Sequence, residues 1–132
     1  MSLVQLVYAS QPFGFDSAML NGILVTSRAN NVRDQITGAL ICRADIYLQH
    51  LEGPSDKVEA AYRRILRDDR HLDARLLLNT PVEDRLFPEW AMRDDPARSW
   101  MWTQEEVDAG APGRATPDEV RAIFVRLASE LD

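Results

Sequence analysis

Cysteine and histidine are scarce in this chain of 132 residues, which contains one Cys and two His. Cys42 has no second thiol to pair with, which excludes an internal disulfide framework and fits a reducing compartment, so a cytoplasmic location is expected. His50 and His71 lie far apart in sequence with no Cys or His at ligand spacing, and no metal site is expected. The six glycines are scattered, none opening a helix as a phosphate-cradling loop does, and no nucleophile elbow is present, so the expectation is a protein that is not an enzyme. Basic residues are outnumbered 15 to 21, and a formal net charge of −6 argues against nucleic acid as a partner. No apolar run approaches the ~18 to 20 residues of a membrane span. Residues 1–5 lack the basic and then apolar layout of a signal peptide, so the chain is expected to be neither inserted in a membrane nor exported.

What the chain does have is a globular balance, 45% hydrophobic and 27% charged, with enough length for one core. Residues 3–9 (LVQLVYA) read as a strand that enters a Pro- and Gly-bearing loop. Leu20, Ile23, Leu24 and Ser27 then share one side of a helix expected to begin at Asp16 or Ser17 and to run to about Asn30. Residues 36–41 and 46–51 form a hairpin around a polar turn at 42–45. A breaker and cap at 53–56 opens a second helix on Val58, Ala61, Tyr62, Ile65 and Leu66, ending near Asp68. Residues 74–78 are a fourth strand, and 86–92, which contains Pro88, is expected as a short fifth strand at an edge.

The order β-α-β-β-α-β with a fifth strand predicts an α+β fold, a ferredoxin-like split βαβ sandwich with both helices on one sheet face. Beyond residue 93 the composition shifts, and two capping boxes appear, Thr103 with Glu106 and Thr116 with Glu119. The chain is therefore divided into a core, residues 1–93, and a C-terminal helical extension, residues 94–132. The extension's apolar face, Val120, Ile123, Phe124, Leu127 and Leu131, is expected to cap the open side of the sheet; another copy or a separate effector are the other occupants. Trp100 and Trp102 flank the linker as core fillers or interface anchors.

Period-two alternation places Tyr47, Gln49 and Leu51 on one face of the third strand, so an amide sits among apolar neighbours. A buried amide needs partners, and Tyr8 on the adjacent strand is a candidate, the simplest arrangement being a mutual hydrogen bond in a half-exposed sheet. Asn30 and Asn31, at the end of the first helix, read by position as C-terminal caps.

Five segments in this order resemble the BLUF domains, flavin-binding sensors of blue light: LVYAS with Tyr8, SRANNVRDQITGAL (27–40), YLQHLEGP (47–54), RDDRH ending at His71, and FPEWAM (87–92). The resemblance implies FAD as cofactor, its ring between the two helices and over the sheet. It implies Tyr8 as photochemical electron and proton donor, and Gln49 as the bridge from Tyr8 to the flavin N5 and C4=O. Asn31 is placed at the C4=O and N3 edge, with Asn30 beside it at a position where the family varies. Arg64 and Asp68 are placed near the C2=O edge, where their spacing also allows an i, i+4 ion pair. Arg33 and His71 are placed toward the ribityl or phosphate tail, or at the surface. Trp90 and Met92 match the family's switch segment, in which one or the other lies close to Gln49.

The implied mechanism is light-driven transfer from Tyr8, rotation or tautomerisation of Gln49, and a red-shifted flavin spectrum. No output enzyme is recognisable and 132 residues leave no room for one, so the expected partner is a separate effector protein, with self-assembly into a homo-oligomer. The alternative is a light-independent ferredoxin-like regulatory or small-ligand-binding domain.

Overall fold

Large apolar residues occur on both faces of the central strands, so the sheet must be covered on both sides. The computed structural model describes residues 3–12, 17–68 and 71–130, with the backbone alone at Ser17, His71 and Asp95. Strands β1 (Leu3–Pro12), β2 (Thr37–Arg43), β3 (Ile46–Pro54), β4 (His71–Val82) and β5 (Arg93–Pro96) form one sheet in the order β4-β1-β3-β2-β5. All neighbours are antiparallel except β2 and β5, which run parallel. The first and third strands are adjacent, as the ferredoxin-like order requires.

Helices α1 (Ser17–Asp34) and α2 (Ser55–Leu66) pack on the front face. Ile23 and Leu24 of α1 and Val58 and Ala61 of α2 meet Val4, Leu6, Leu40, Tyr47 and Leu51 of the sheet. The reverse face carries Val7, Ala39, Ile41, Ile46, Leu48 and Leu78, covered by Val120, Phe124 and Leu127 of α5 (Pro117–Ser129). The C-terminal helix thus caps its own sheet, and both capping boxes form, at α3 (Gln104–Asp108) and at α5. A short helix, α4 (Ala111–Arg114), lies between them. Trp100 and Trp102 are core fillers, partly buried against the same cluster. The indole N–H of Trp100 also donates to Glu130, 3.1 Å away, beyond the end of α5. Leu131 and Asp16 lie outside the described residues.

Several boundaries differ from expectation, each for a local reason. Helix α1 continues past Asn30 and Asn31 to Asp34 and stops at Gln35, whose φ of 61° is left-handed; neither asparagine is the cap. Helix α2 starts at Ser55 with Pro54 as its N-cap, so no side chain caps it, and it ends at Leu66. Strand β4 is longer than 74–78, because it pairs along the whole of β1 through two register shifts.

The expected strand at 86–92 is not a strand. Pro88 lacks a donor, and the N–H groups of Leu86 and Phe87 donate to the Glu52 carboxylate, at 2.9 and 2.8 Å, and not to a neighbouring strand. Pairing begins at Arg93, so the sheet continues through the expected boundary between core and extension. Gly38 helps hold this segment, since its N–H donates to the Trp90 carbonyl at 3.0 Å. A Cβ there would lie 1.9 Å from the His50 carbonyl oxygen, so this place in β2 admits only glycine.

Gln5 is fully buried on the reverse face, and neither end of its amide has a hydrogen-bond partner among the described residues. An unpaired buried amide costs about 1 to 3 kcal/mol, and methionine has nearly the same volume. Gln5→Met is expected to raise the unfolding free energy by about 1 kcal/mol in a urea titration. A fall would show that the amide is bonded in solution.

Candidate functional site

Antiparallel register sets Tyr8 of β1 directly opposite Gln49 of β3, with Leu40 of β2 on the other side. Both polar residues are buried, at 0% and 2% exposure, so the pair lies inside the core and the half-exposed arrangement is corrected. The Tyr8 hydroxyl donates to Gln49 Oε1. The other end of the amide, Nε2, donates to Met92 Sδ at 3.3 Å. Gln49 is therefore held by its acceptor end on one side and its donor end on the other.

Of the two switch-segment candidates it is Met92, 2% exposed, that lies against Gln49. Trp90 is 41% exposed and lies under the Arg93 guanidinium, 4.9 Å from its ring centre. Two residues of α1 hold Met92 in place. Asn31 Nδ2 donates to the Ala91 carbonyl at 2.7 Å, and Arg28 Nε donates to the Met92 carbonyl at 3.0 Å while Nη2 pairs with Asp94. Sequence reasoning missed Arg28. The available signal was its place one helical turn before Asn31, on the side of α1 that faces the sheet edge.

Beside Gln49 a cleft of about 110 Å³ opens between α1 and α2. Ile23, Leu51, Ala61 and Ile65 give it apolar walls, while Ser27, Asn30, Asn31, Gln49, Arg64 and Asp68 supply hydrogen-bonding groups around them. Such a lining fits a flat heteroaromatic group with polar edges, and so the donor and acceptor set of a flavin ring. With its Nδ2 engaged by Ala91, Asn31 keeps Oδ1 as an acceptor. An apolar cavity of roughly 150 Å³ takes up a single benzene, so three fused rings require α1 and α2 to part beyond their present separation.

Asn30, Asn31, Gln49, Arg64 and Asp68 are thus brought together, with Tyr8 behind Gln49. The i, i+4 pair between Arg64 and Asp68 is not formed. Arg64 Nη2 reaches across to Asp34 Oδ2 at 3.3 Å, joining α2 to the end of α1. Arg33 is not in the cleft lining, because its guanidinium forks onto the same Asp34 carboxylate at 3.0 Å. The Arg33 hydrogen bond, against an opposing effect of burial and helped by the charges of Arg33 and Arg64, holds Asp34 below the usual carboxylate range. His71 opens β4, and its side chain lies outside the described residues.

Burial pushes the Tyr8 phenol well above its ordinary value of 10.0, and the negative charge of Asp68 and the nearby Tyr62 and Tyr47 add to the effect. The phenol therefore keeps the hydrogen it gives to Gln49. Tyrosine in the unfolded chain ionises near 10, so above that pH the folded state binds more protons than the unfolded state, and stability falls as pH rises. Relative to Tyr8→Phe, the unmodified protein is expected to lose up to about 1.4 kcal/mol per pH unit above pH 10 in denaturant titrations. Parallel profiles for the two proteins would overturn this assignment.

The family model for sensors of blue light using FAD, BLUF, matches residues 3–93. The photoactivated adenylate cyclase subunit beta of Euglena gracilis is 36% identical over 93 residues, covering 69% of this chain and 11% of that protein. The chain spans about a tenth of the length of the curated relatives it matches. Among solved structures, the dark state of the BLUF protein BlrB superposes with a TM-score of 0.80 at 29% identity, covering 98% of both chains. A bacterial light-regulated adenylyl cyclase gives 0.69 at 30% identity, over 92% of this chain and 35% of that one. With a sheet, a two-helix cleft and a Tyr–Gln pair in one frame, and the family model matching most of its length, the chain belongs to the BLUF family of blue-light sensors.

Proposed function

We propose that this protein binds FAD noncovalently in the cleft between α1 and α2 and signals blue light by reordering the hydrogen bonds of Tyr8, Gln49 and Met92. The observation that carries the reading is the Gln49 amide, whose oxygen accepts from Tyr8 and whose nitrogen donates to Met92 Sδ. A bound flavin supplies the photochemistry, becoming in its excited state an oxidant strong enough to take an electron from a nearby phenol. Tyr8 is the donor in this proposal, with its hydroxyl proton retained in the dark by burial. Gln49 is the switch because its two ends differ in hydrogen-bonding sense. Rotation of the amide would set its oxygen against Met92 Sδ, two acceptors face to face; tautomerisation would move one hydrogen from Nε2 to Oε1, leaving the nitrogen a single N–H and making the oxygen a donor. Either change loosens residues 88–92 from the sheet.

Asn31 is well suited to join the cofactor to this segment, since its amide reaches both the cleft and the Ala91 carbonyl. Asn30, Arg64 and Asp68 complete the ring's polar surroundings, while Arg33 is assigned to the surface. The output passes through residues 94–132 to a separate effector protein, with homo-oligomers of this chain as the signalling form and no catalytic step of the domain's own. We place it in the cytoplasm, in keeping with a lone, buried cysteine, Cys42. Among the described residues no helix is long and apolar enough to cross a membrane.

A light-minus-dark absorption spectrum tests the whole reading. The purified protein is expected to be yellow, with a flavin band that moves reversibly to the red under blue light, and Tyr8→Phe to remain yellow without that shift. Colourless protein that takes up no added FAD refutes the cofactor assignment; a normal shift in Tyr8→Phe refutes the donor.

A further inference from the structure

The sheet face opposite the cleft holds a buried charge directly behind the switch. His50 follows Gln49 in β3 and Glu52 comes two residues later, so both project to the reverse face, where each is 0% exposed. A buried carboxylate is tolerated when donors saturate it, and here four do. His50 Nε2 and the Leu86 N–H donate to Oε1, each at 2.9 Å, and the Thr37 hydroxyl and the Phe87 N–H donate to Oε2 at 2.9 and 2.8 Å. Burial alone would push Glu52 up, but the hydrogen bond and electrostatic attraction of the His50 ring and the Phe87 and Leu86 N–H groups hold it below the usual carboxylate value. Arg85 adds to the anchorage, donating to Thr37 Oγ1 at 2.8 Å and to the Glu52 carbonyl at 3.1 Å.

These bonds fix one end of the segment whose other end meets Gln49. Leu86 and Phe87 cannot leave Glu52 without stranding a charge in the core, whereas at the other end Arg28 and Asn31 hold only the backbone carbonyls of Met92 and Ala91, and the Met92 side chain meets Gln49 through a single thioether contact. When residues 88–92 shift, Phe87 is their pivot. Its ring stands edge-on to His50 at 5.3 Å and to Phe124 of α5 at 6.3 Å, and His50 is itself 5.0 Å from Phe124. Phe87 and Phe124 are 1% and 0% exposed, so a turn of the pivot has no free space to absorb it and must displace its neighbours.

We propose that Glu52 and His50 are positioning residues of the light response: Glu52 pins Phe87 as the pivot of residues 86–92, and the His50–Phe87–Phe124 cluster carries the pivot's displacement to α5. This inference rests on the flavin-sensor reading above. Two variants separate the relay from the photochemistry. Glu52→Gln replaces one acceptor with an amide that cannot satisfy all the N–H groups facing it, and Phe124→Leu removes the ring while keeping the site apolar. Difference spectra report the flavin, and light-minus-dark hydrogen exchange of residues 117–129 reports α5. In the unmodified protein, illumination is expected to change exchange in both 86–92 and 117–129. Each variant is expected to keep the full spectral shift and to lose the response of 117–129. If Glu52→Gln does not fold, Phe124→Leu decides alone. An undiminished α5 response in the variants, no α5 response in the unmodified protein, or loss of the spectral shift in the folded variants overturns the relay while leaving the sensor reading intact. No shift in the unmodified protein overturns both.

Discussion

A glutamine buried in the middle of a sheet, with both ends of its side chain committed, is the constraint around which this molecule is arranged. The carbonyl oxygen of Gln49 accepts from Tyr8 and the amide nitrogen donates to Met92, so the orientation of one side chain depends on two elements far apart in sequence. An amide in such a place has a high price for error, because neither end can turn to water if its partner is lost. That expense is what makes it usable as a switch: a modest electronic event beside it can change which of two bonding patterns is lower in energy.

The two sheet faces divide the labour. In front, α1 and α2 stand apart over Gln49 and leave a cleft whose walls are apolar and whose edges are polar. Behind, α5 closes on the sheet with Val120, Phe124 and Leu127 in a packed layer. A charge is buried on each side, Asp34 in front between Arg33 and Arg64, and Glu52 behind among four donors. Both carboxylates tie together pieces of chain that the core alone would not register: Asp34 joins α1 to α2, and Glu52 joins β3 to the segment before β5.

Much of the frame could be read along the chain. Alternation in IYLQHLE separated the two faces of β3, and the apolar stripe from Val120 to Leu127 announced a covered sheet. Gln49, Asn31, Arg64 and Asp68 could be collected from segment resemblance and were found around one cleft, with Tyr8 behind Gln49. Other features depended on contacts between segments distant in sequence. Helix α1 outran its asparagines because Asn31 was engaged by Ala91 and not by the helix end. The fifth strand moved to Arg93 because Glu52 took the N–H groups that a strand at 86–92 would have used. Arg64 chose Asp34 over Asp68 because α1 ends within reach of α2.

The order of elements, the helix caps at Thr103 and Thr116, and the place of Gln49 among apolar neighbours on one face of β3 were decided by the sequence itself, since propensity, capping and periodicity act over a few neighbouring residues. Which of Trp90 and Met92 touches Gln49, where the fifth strand begins, and which acid each arginine meets were decided only by the tertiary structure. Each of these outcomes is a competition among donors and acceptors for partners, and the winner is set by which groups the packed sheet and helices bring within about 3 Å of one another.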